Sequence, residues 1–229
     1  VGLPLSIEFG KKYDTIGYDI NSDRINELND GIDVSNENDT EYIKSSAKLI
    51  FTSNLNDLSE CNIYIITVPT PVNSKNIPEL KVLLKATSNV ANILNKNDIV
   101  IYESTVYPGC TEEDCVPVLE NISGLEYNED FFCGYSPERI NPGDKNRTLT
   151  EIIKITSGSN KQTLKRVDSL YKSILNKGTF PVSSIKIAEA AKIIENCQRD
   201  INIAFVNELS MMFNLMDIDS KEVLEAAAT

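Results

Sequence analysis

Ile63-Tyr64-Ile65-Ile66-Thr67-Val68-Pro69-Thr70-Pro71 is an apolar, β-branched run stopped by two prolines, and it reads as a strand over 63–69. It is followed by a helical pattern over 79–96, with Leu80, Leu83, Leu84, Val90, Ile93 and Leu94 near helical spacing, and then by a strand over 98–106. Strand, helix and strand in that order form a βαβ unit, which implies parallel pairing.

The same alternation extends both ways. Upstream, a helix is expected over 3–12, a strand over 14–20, a helix capped by Asn21 or Ser22 and ended by Gly31, a short helix near 41–47 and a strand over 49–53. The polar stretch 33–41, with Asp33, Glu37, Asp39 and Glu41, reads as a solvated loop. Downstream come a helix over 109–121, strands over 131–136 and 151–157, a helix over 160–175 and a strand near 178–183. From Ser184 to Met216 neither glycine nor proline interrupts Ile185, Ala188, Ala191, Ile194, Ile201, Phe205, Leu209 and Phe213. That pattern predicts one long helix whose apolar stripe is, by default, core packing. The fold class is α/β, with a doubly wound, mostly parallel sheet followed by the long helix.

With 229 residues, the chain is long enough to bury a full core. A net charge of −12 argues against a broad nucleic-acid or anionic-membrane face, and no apolar run approaches a membrane span. The expected compartment is the cytoplasm. Cys61, Cys110, Cys115, Cys133 and Cys197 show no CxxC spacing and read as free, mostly buried thiols rather than a metal site. With no histidine in the chain, proton transfer falls to Glu, Asp, Lys, Tyr or water. The chain opens on Val1-Gly2 and closes inside a helical run from Ser220 to Thr229, which reads as an internal piece of a longer protein.

Chemistry-bearing residues gather where strands end. Thr70 offers a hydroxyl after the strand 63–68, and Glu103-Ser104-Thr105 closes the next one, so the two suggest a shared crevice. Plain strand termination is the competing reading. Tyr135-Ser136-Pro137-Glu138-Arg139-Ile140-Asn141-Pro142-Gly143-Asp144-Lys145 sets a carboxylate and a guanidinium on a turn stiffened by two prolines, against the alternative of a solvated surface turn. Gly2 precedes a helix and Asp19 follows a strand. Were Gly2 the third glycine of a dinucleotide fingerprint, the first would lie five positions earlier and 22 before Asp19, and the acidic Asp19 would favour NAD over NADP. Lys192 and Asn196, four apart on the long helix with Glu189 and Arg199 nearby, share a face suited to polarising a carbonyl; a solvated lysine and amide is the alternative.

In order, Val1 to Leu5, Gly17-Tyr18-Asp19-Ile20, Thr67 to Val72, Glu103-Ser104-Thr105-Val106, Tyr135 to Lys145 and Glu195-Asn196-Cys197-Gln198-Arg199-Asp200 resemble the UDP-glucose/GDP-mannose dehydrogenase family. The Ser-Pro-Glu-Arg-Ile-Asn-Pro-Gly run is most similar to its UDP-N-acetylhexosamine 6-dehydrogenases. The resemblance implies a truncated Rossmann-like NAD-binding domain over 1–183 and the start of a helical dimerisation domain over 184–229. It further implies oxidation of a sugar C6 alcohol to a carboxylate by two NAD⁺ in a homodimer, through a cysteine thioester, with a UDP-sugar as substrate. Thr105, Glu138, Lys192 and Asn196 would be catalytic. Gly2, Asp19, Arg24, Thr70 and Thr105 would serve NAD, and Glu138, Arg139, Lys192, Asn196 and Arg199 the sugar nucleotide.

None of the five cysteines matches the family's Gly-Gly-x-Cys nucleophile, so the 229-residue chain alone is expected to be inactive. The family's first strand has no counterpart either, which should leave two interior sheet edges unpaired. A UDP-N-acetylmannosamine or UDP-glucose enzyme and a non-catalytic dinucleotide-binding or dimerisation module remain as alternatives.

Overall fold

The computed structural model describes residues 1–34, 40–139 and 149–229. Two compact units are present, Val1–Glu189 and Ala190–Thr229. The first contains α1 (Gly2–Gly10), β1 (Thr15–Tyr18), α2 (Ser22–Asn29), α3 (Thr40–Lys44), β2 (Leu49–Thr52), β3 (Ile63–Ile66), α4 (Lys81–Ala91) and β4 (Ile99–Tyr102). It continues through α5 (Val116–Ser123), β5 (Phe132–Tyr135), β6 (Lys154–Gly158), α6 (Lys161–Lys172) and β7 (Thr179–Pro181). The long helix α7 (Ile185–Leu215) and α8 (Ser220–Ala227) complete the chain.

Strand order is β3-β4-β5-β6-β7 in one sheet and β1-β2 in another. Pairing is parallel except between β5 and β6. Among the described residues β1 pairs with β2 alone and β3 with β4 alone, so each keeps one edge without a strand, the split expected if the first strand of a doubly wound sheet is missing.

Helix α1 serves both sheets. Leu5 and Phe9, four residues apart and so on one face, join Ile99, Ile101, Val167 and Tyr171 in one apolar cluster. Ile7, on another face, packs with Leu28 and Ile43 in a second cluster flanked by Leu49 and Phe51. All four residues of β4 are buried, as a central parallel strand with both faces covered requires.

Local chemistry sets the boundaries. Asn21 caps α2, its side chain accepting from the Asp23 and Arg24 amides, and Gly31 follows at φ +79°. The helix expected from 109 begins as a π turn, Thr111–Cys115, before α5. Just ahead of it, Gly109 at φ +101° and Thr111 donate their amides to the buried Glu189 carboxylate at 2.6 and 3.0 Å.

Two expectations change and one holds. Asp33 is buried rather than solvated, because it pairs with the Arg24 guanidinium; Glu37 and Asp39 lie outside the described residues. The thiols are free and mostly buried as expected: Cys110, Cys115 and Cys133 are buried and Cys61 half-buried, with Cys197 exposed on α7. The stripe on α7 is core only at Ile185 and Ala188; beyond them Ile194, Ile201 and Phe205 are 67, 65 and 61% exposed. Helical periodicity identifies an apolar face, not what covers it.

Asp168 of α6 accepts hydrogen bonds from Thr156 of β6 and Thr179 of β7 and is 2.6 Å from Lys172. Burial pushes its carboxyl up, but Lys172 and the two threonines outweigh that and hold it below the usual range. A depressed folded-state value stabilises the protein above the unfolded value near 4 and loses that contribution as pH falls through the lowered one. Asp168→Asn should cost about 0.5–1.5 kcal/mol at neutral pH, because the ion pair with the exposed Lys172 is screened by solvent. In urea titrations across pH, the gap from wild type should narrow below about pH 4.

Candidate active site

The carboxyl ends of β3, β4 and β5 are stitched together by the residues that terminate them. Beyond β3, Thr70 donates its hydroxyl to the Thr105 carbonyl at 2.5 Å, and the Val68 carbonyl accepts from the Ser104 hydroxyl at 2.6 Å. Tyr135 at the end of β5 reaches back to the Ser104 carbonyl at 3.1 Å, and the Ser136 amide donates to Tyr102 at 3.0 Å. The shared crevice expected from Thr70 and Thr105 is thus a set of direct cross-strand hydrogen bonds, with the Thr105 side chain left exposed above it.

Glu138 and Arg139 follow without a break. Ser136 and Pro137 are buried and Glu138 is half-buried, with the Arg139 amide donating to a Glu138 carboxylate oxygen at 2.6 Å. The Ser136 hydroxyl is bonded to the Ile155 carbonyl at 2.7 Å, which clamps the turn against β6. A solvated surface turn does not describe this segment. Ile140 to Lys145 lie outside the described residues.

Sequence reading missed the support beneath this edge. Glu103, 1% exposed, takes the Lys154 ammonium at 2.8 Å on one carboxylate oxygen and the Tyr171 hydroxyl on the other. The same ammonium donates to the Pro137 carbonyl at 3.1 Å. Burial pushes the Glu103 carboxyl up, opposed by Lys154, and pushes the Tyr171 hydroxyl well up, aided by the Glu103 charge. The available signal was a lysine inside the apolar run 152–156, a residue type that is almost never fully buried unless paired.

Gly2 opens α1 against the carboxyl end of β3. A Cβ there would stand 2.6 Å from the Thr67 hydroxyl, so a larger residue would require the Thr67 side chain to move. Asp19 lies exposed at the end of β1, one oxygen accepting from the Asn21 amide at 2.9 Å. The amides that open α1 could meet a phosphate, and the Asp19 carboxylate a ribose hydroxyl. Arg24 is half-buried, its guanidinium turned to Asp33 and 3.6 Å from Glu27.

In the second unit, Lys192 is buried, 3.7 Å from Glu195, which also accepts from Arg199 at 2.8 Å. Asn196 is half-buried on the same helix. Lys192, Glu195 and Arg199 thus form a charged row with spacings of three and four residues.

Residues 1–175 match the NAD binding domain of the UDP-glucose/GDP-mannose dehydrogenase family, and residues 186–229 match its central domain. The chain is 58% identical over its whole length to a UDP-N-acetyl-D-glucosamine 6-dehydrogenase of Pseudomonas aeruginosa and 51% identical to Protein CapL of Staphylococcus aureus. It covers 54% of each of those proteins, so it spans about half the length of the curated relatives it matches. Among solved structures, a UDP-D-ManNAc dehydrogenase from Pyrococcus horikoshii superposes with a TM-score of 0.90 at 33% identity, covering all of this chain and 55% of that one. A fingerprint-like glycine and aspartate, strand ends tied into one edge and a match over most of the sequence agree: the chain belongs to the UDP-glucose/GDP-mannose dehydrogenase family.

Proposed function

We propose that the protein to which this chain belongs oxidises the C6 alcohol of a UDP-N-acetylhexosamine to the uronic acid with NAD, for polysaccharide biosynthesis. The carrying observation is the 58% identity, across every residue, to a UDP-N-acetyl-D-glucosamine 6-dehydrogenase, in a chain with Thr105 and Glu138 on one cross-bonded edge. Residues 1–183 would form the NAD-binding domain and 184–229 the start of a helical dimerisation domain.

In this reading Gly2, Asp19, Arg24, Thr70 and Thr105 would hold NAD, which when bound would supply the hydride acceptor. Gly2 lets α1 pack closely on the end of β3, as the third glycine of a dinucleotide fingerprint does, and Asp19 accepts from ribose hydroxyls and repels a 2′-phosphate. The Thr105 hydroxyl, exposed on a loop held by Thr70, positions water, and Glu138 takes the proton from a water attacking the acyl carbon. Lys192 and Asn196 stabilise oxyanions, with Arg139 and Arg199 on the sugar nucleotide. The free thiols suit a reducing cytoplasm. The long exposed apolar face of α7, including Ile201 and Phe205, supports a homodimer. Among the described residues no helix is long and apolar enough to cross a membrane.

The complete gene product should form NADH with UDP-N-acetylglucosamine or UDP-N-acetylgalactosamine, and Glu138→Gln should lower kcat by about 10²-fold or more. Turnover only with UDP-N-acetylmannosamine or UDP-glucose would move the substrate assignment within the family. By calorimetry, Asp19→Ala should weaken NAD binding by about tenfold or more, as loss of a charged hydrogen bond to ribose predicts. In sedimentation, the complete product should run as a dimer, and Phe205→Glu should raise its dissociation constant by at least about tenfold. A monomeric wild type at micromolar concentration would refute the dimer.

A further inference from the structure

Lys154 is the most deeply buried cation of the described residues, at 0% exposure, and it enters the core from the first position of β6. Its ammonium has two oxygen partners: a Glu103 oxygen at 2.8 Å and the Pro137 carbonyl at 3.1 Å. It also stands 5.4 Å from the centre of the Tyr171 ring, whose hydroxyl holds the other Glu103 oxygen. As salt bridges go this is an expensive arrangement, since desolvating two charges offsets much of their attraction and an apolar pair of similar volume is often as stable. Filling the core does not require it.

The second partner supplies a reason. Pro137 has no N–H, so its carbonyl is the one polar main-chain group through which that residue can be held. The carbonyl oxygen lies in the same rigid plane as the amide nitrogen and Cα of Glu138. Fixing the oxygen therefore fixes where the Glu138 side chain begins. Glu103, meanwhile, is two residues from Thr105, and its neighbour Ser104 receives the Tyr135 hydroxyl.

We propose that Lys154 is a positioning residue for the dehydrogenase reaction. Neutralised by Glu103, it holds the Pro137 carbonyl and thereby registers Glu138 of the β5 turn against Thr105 of the β4 turn. This rests on the proposed oxidation of a UDP-sugar, and the roles of Glu138 and Thr105 stand or fall with it.

The test uses the complete gene product carrying Glu103→Gln together with Lys154→Met, which removes both charges and leaves no unpaired buried ion. Two readings are taken: steady-state kinetics with UDP-N-acetylglucosamine and NAD, and hydrogen exchange at the Glu138 and Arg139 amides. The expected result is a melting temperature near wild type, kcat lower by about 10²-fold, as for a displacement of about 1 Å, with KM for NAD little changed, and faster exchange at both amides. Wild-type kcat, or wild-type exchange at both amides, overturns the proposal. If the double variant does not fold, Lys154→Arg decides, because it keeps the charge and displaces the donor. It should lower kcat at an unchanged melting temperature, and wild-type kcat would again overturn the proposal. Should the wild-type protein oxidise no UDP-sugar, the functional reading fails and Lys154 has no role in that reaction; the exchange measurement then shows separately whether it holds the turn.

Discussion

A carboxylate with almost no exposure to water, Glu103, governs the carboxyl edge of the larger sheet. Burying an unpaired charge is prohibitive, so its position at the end of β4 demands a cation and a hydroxyl from elsewhere in the chain. Lys154 of β6 and Tyr171 of α6 supply them, from 51 and 68 residues away. One buried charge thus draws together β4, β6, α6 and the Pro137 turn. The turn that carries Glu138 and the loop that carries Thr105 adjoin that support.

The two apolar clusters have a different logic. β1-β2 and the five-stranded sheet share no hydrogen bond between strands among the described residues, yet α1 contributes to the core of each, Leu5 and Phe9 to one and Ile7 to the other. Hydrophobic burial is non-directional, so one helix can join two sheets that the hydrogen-bond ladder does not. The same helix begins at Gly2, whose missing side chain lets it start close to Thr67 at the end of β3.

The placement of the site residues at strand ends was legible because its signals are local. Prolines that halt a strand, a threonine just beyond and a glutamate after Ser-Pro can be read within a few residues, and their placement on neighbouring strands followed from the βαβ alternation. Asp33 was misread because its neighbours are polar, whereas its environment is set by Arg24 nine residues earlier. The α7 stripe was misread for the converse reason. Period 3.6 marks a face as apolar whether it meets a core, another subunit or water.

What the sequence alone determined is the order of elements, the family motifs and the residues fit for acid, base and anion-binding work, since each depends on side-chain type and short spacing. Only the tertiary structure decided that Thr70 bonds to Thr105, that Glu189 collars the Gly109 turn and that Lys154 reaches Pro137. Each of those contacts joins residues 17 to 80 positions apart, and pairing over such distances follows from burial and sheet register rather than from any pattern along the chain.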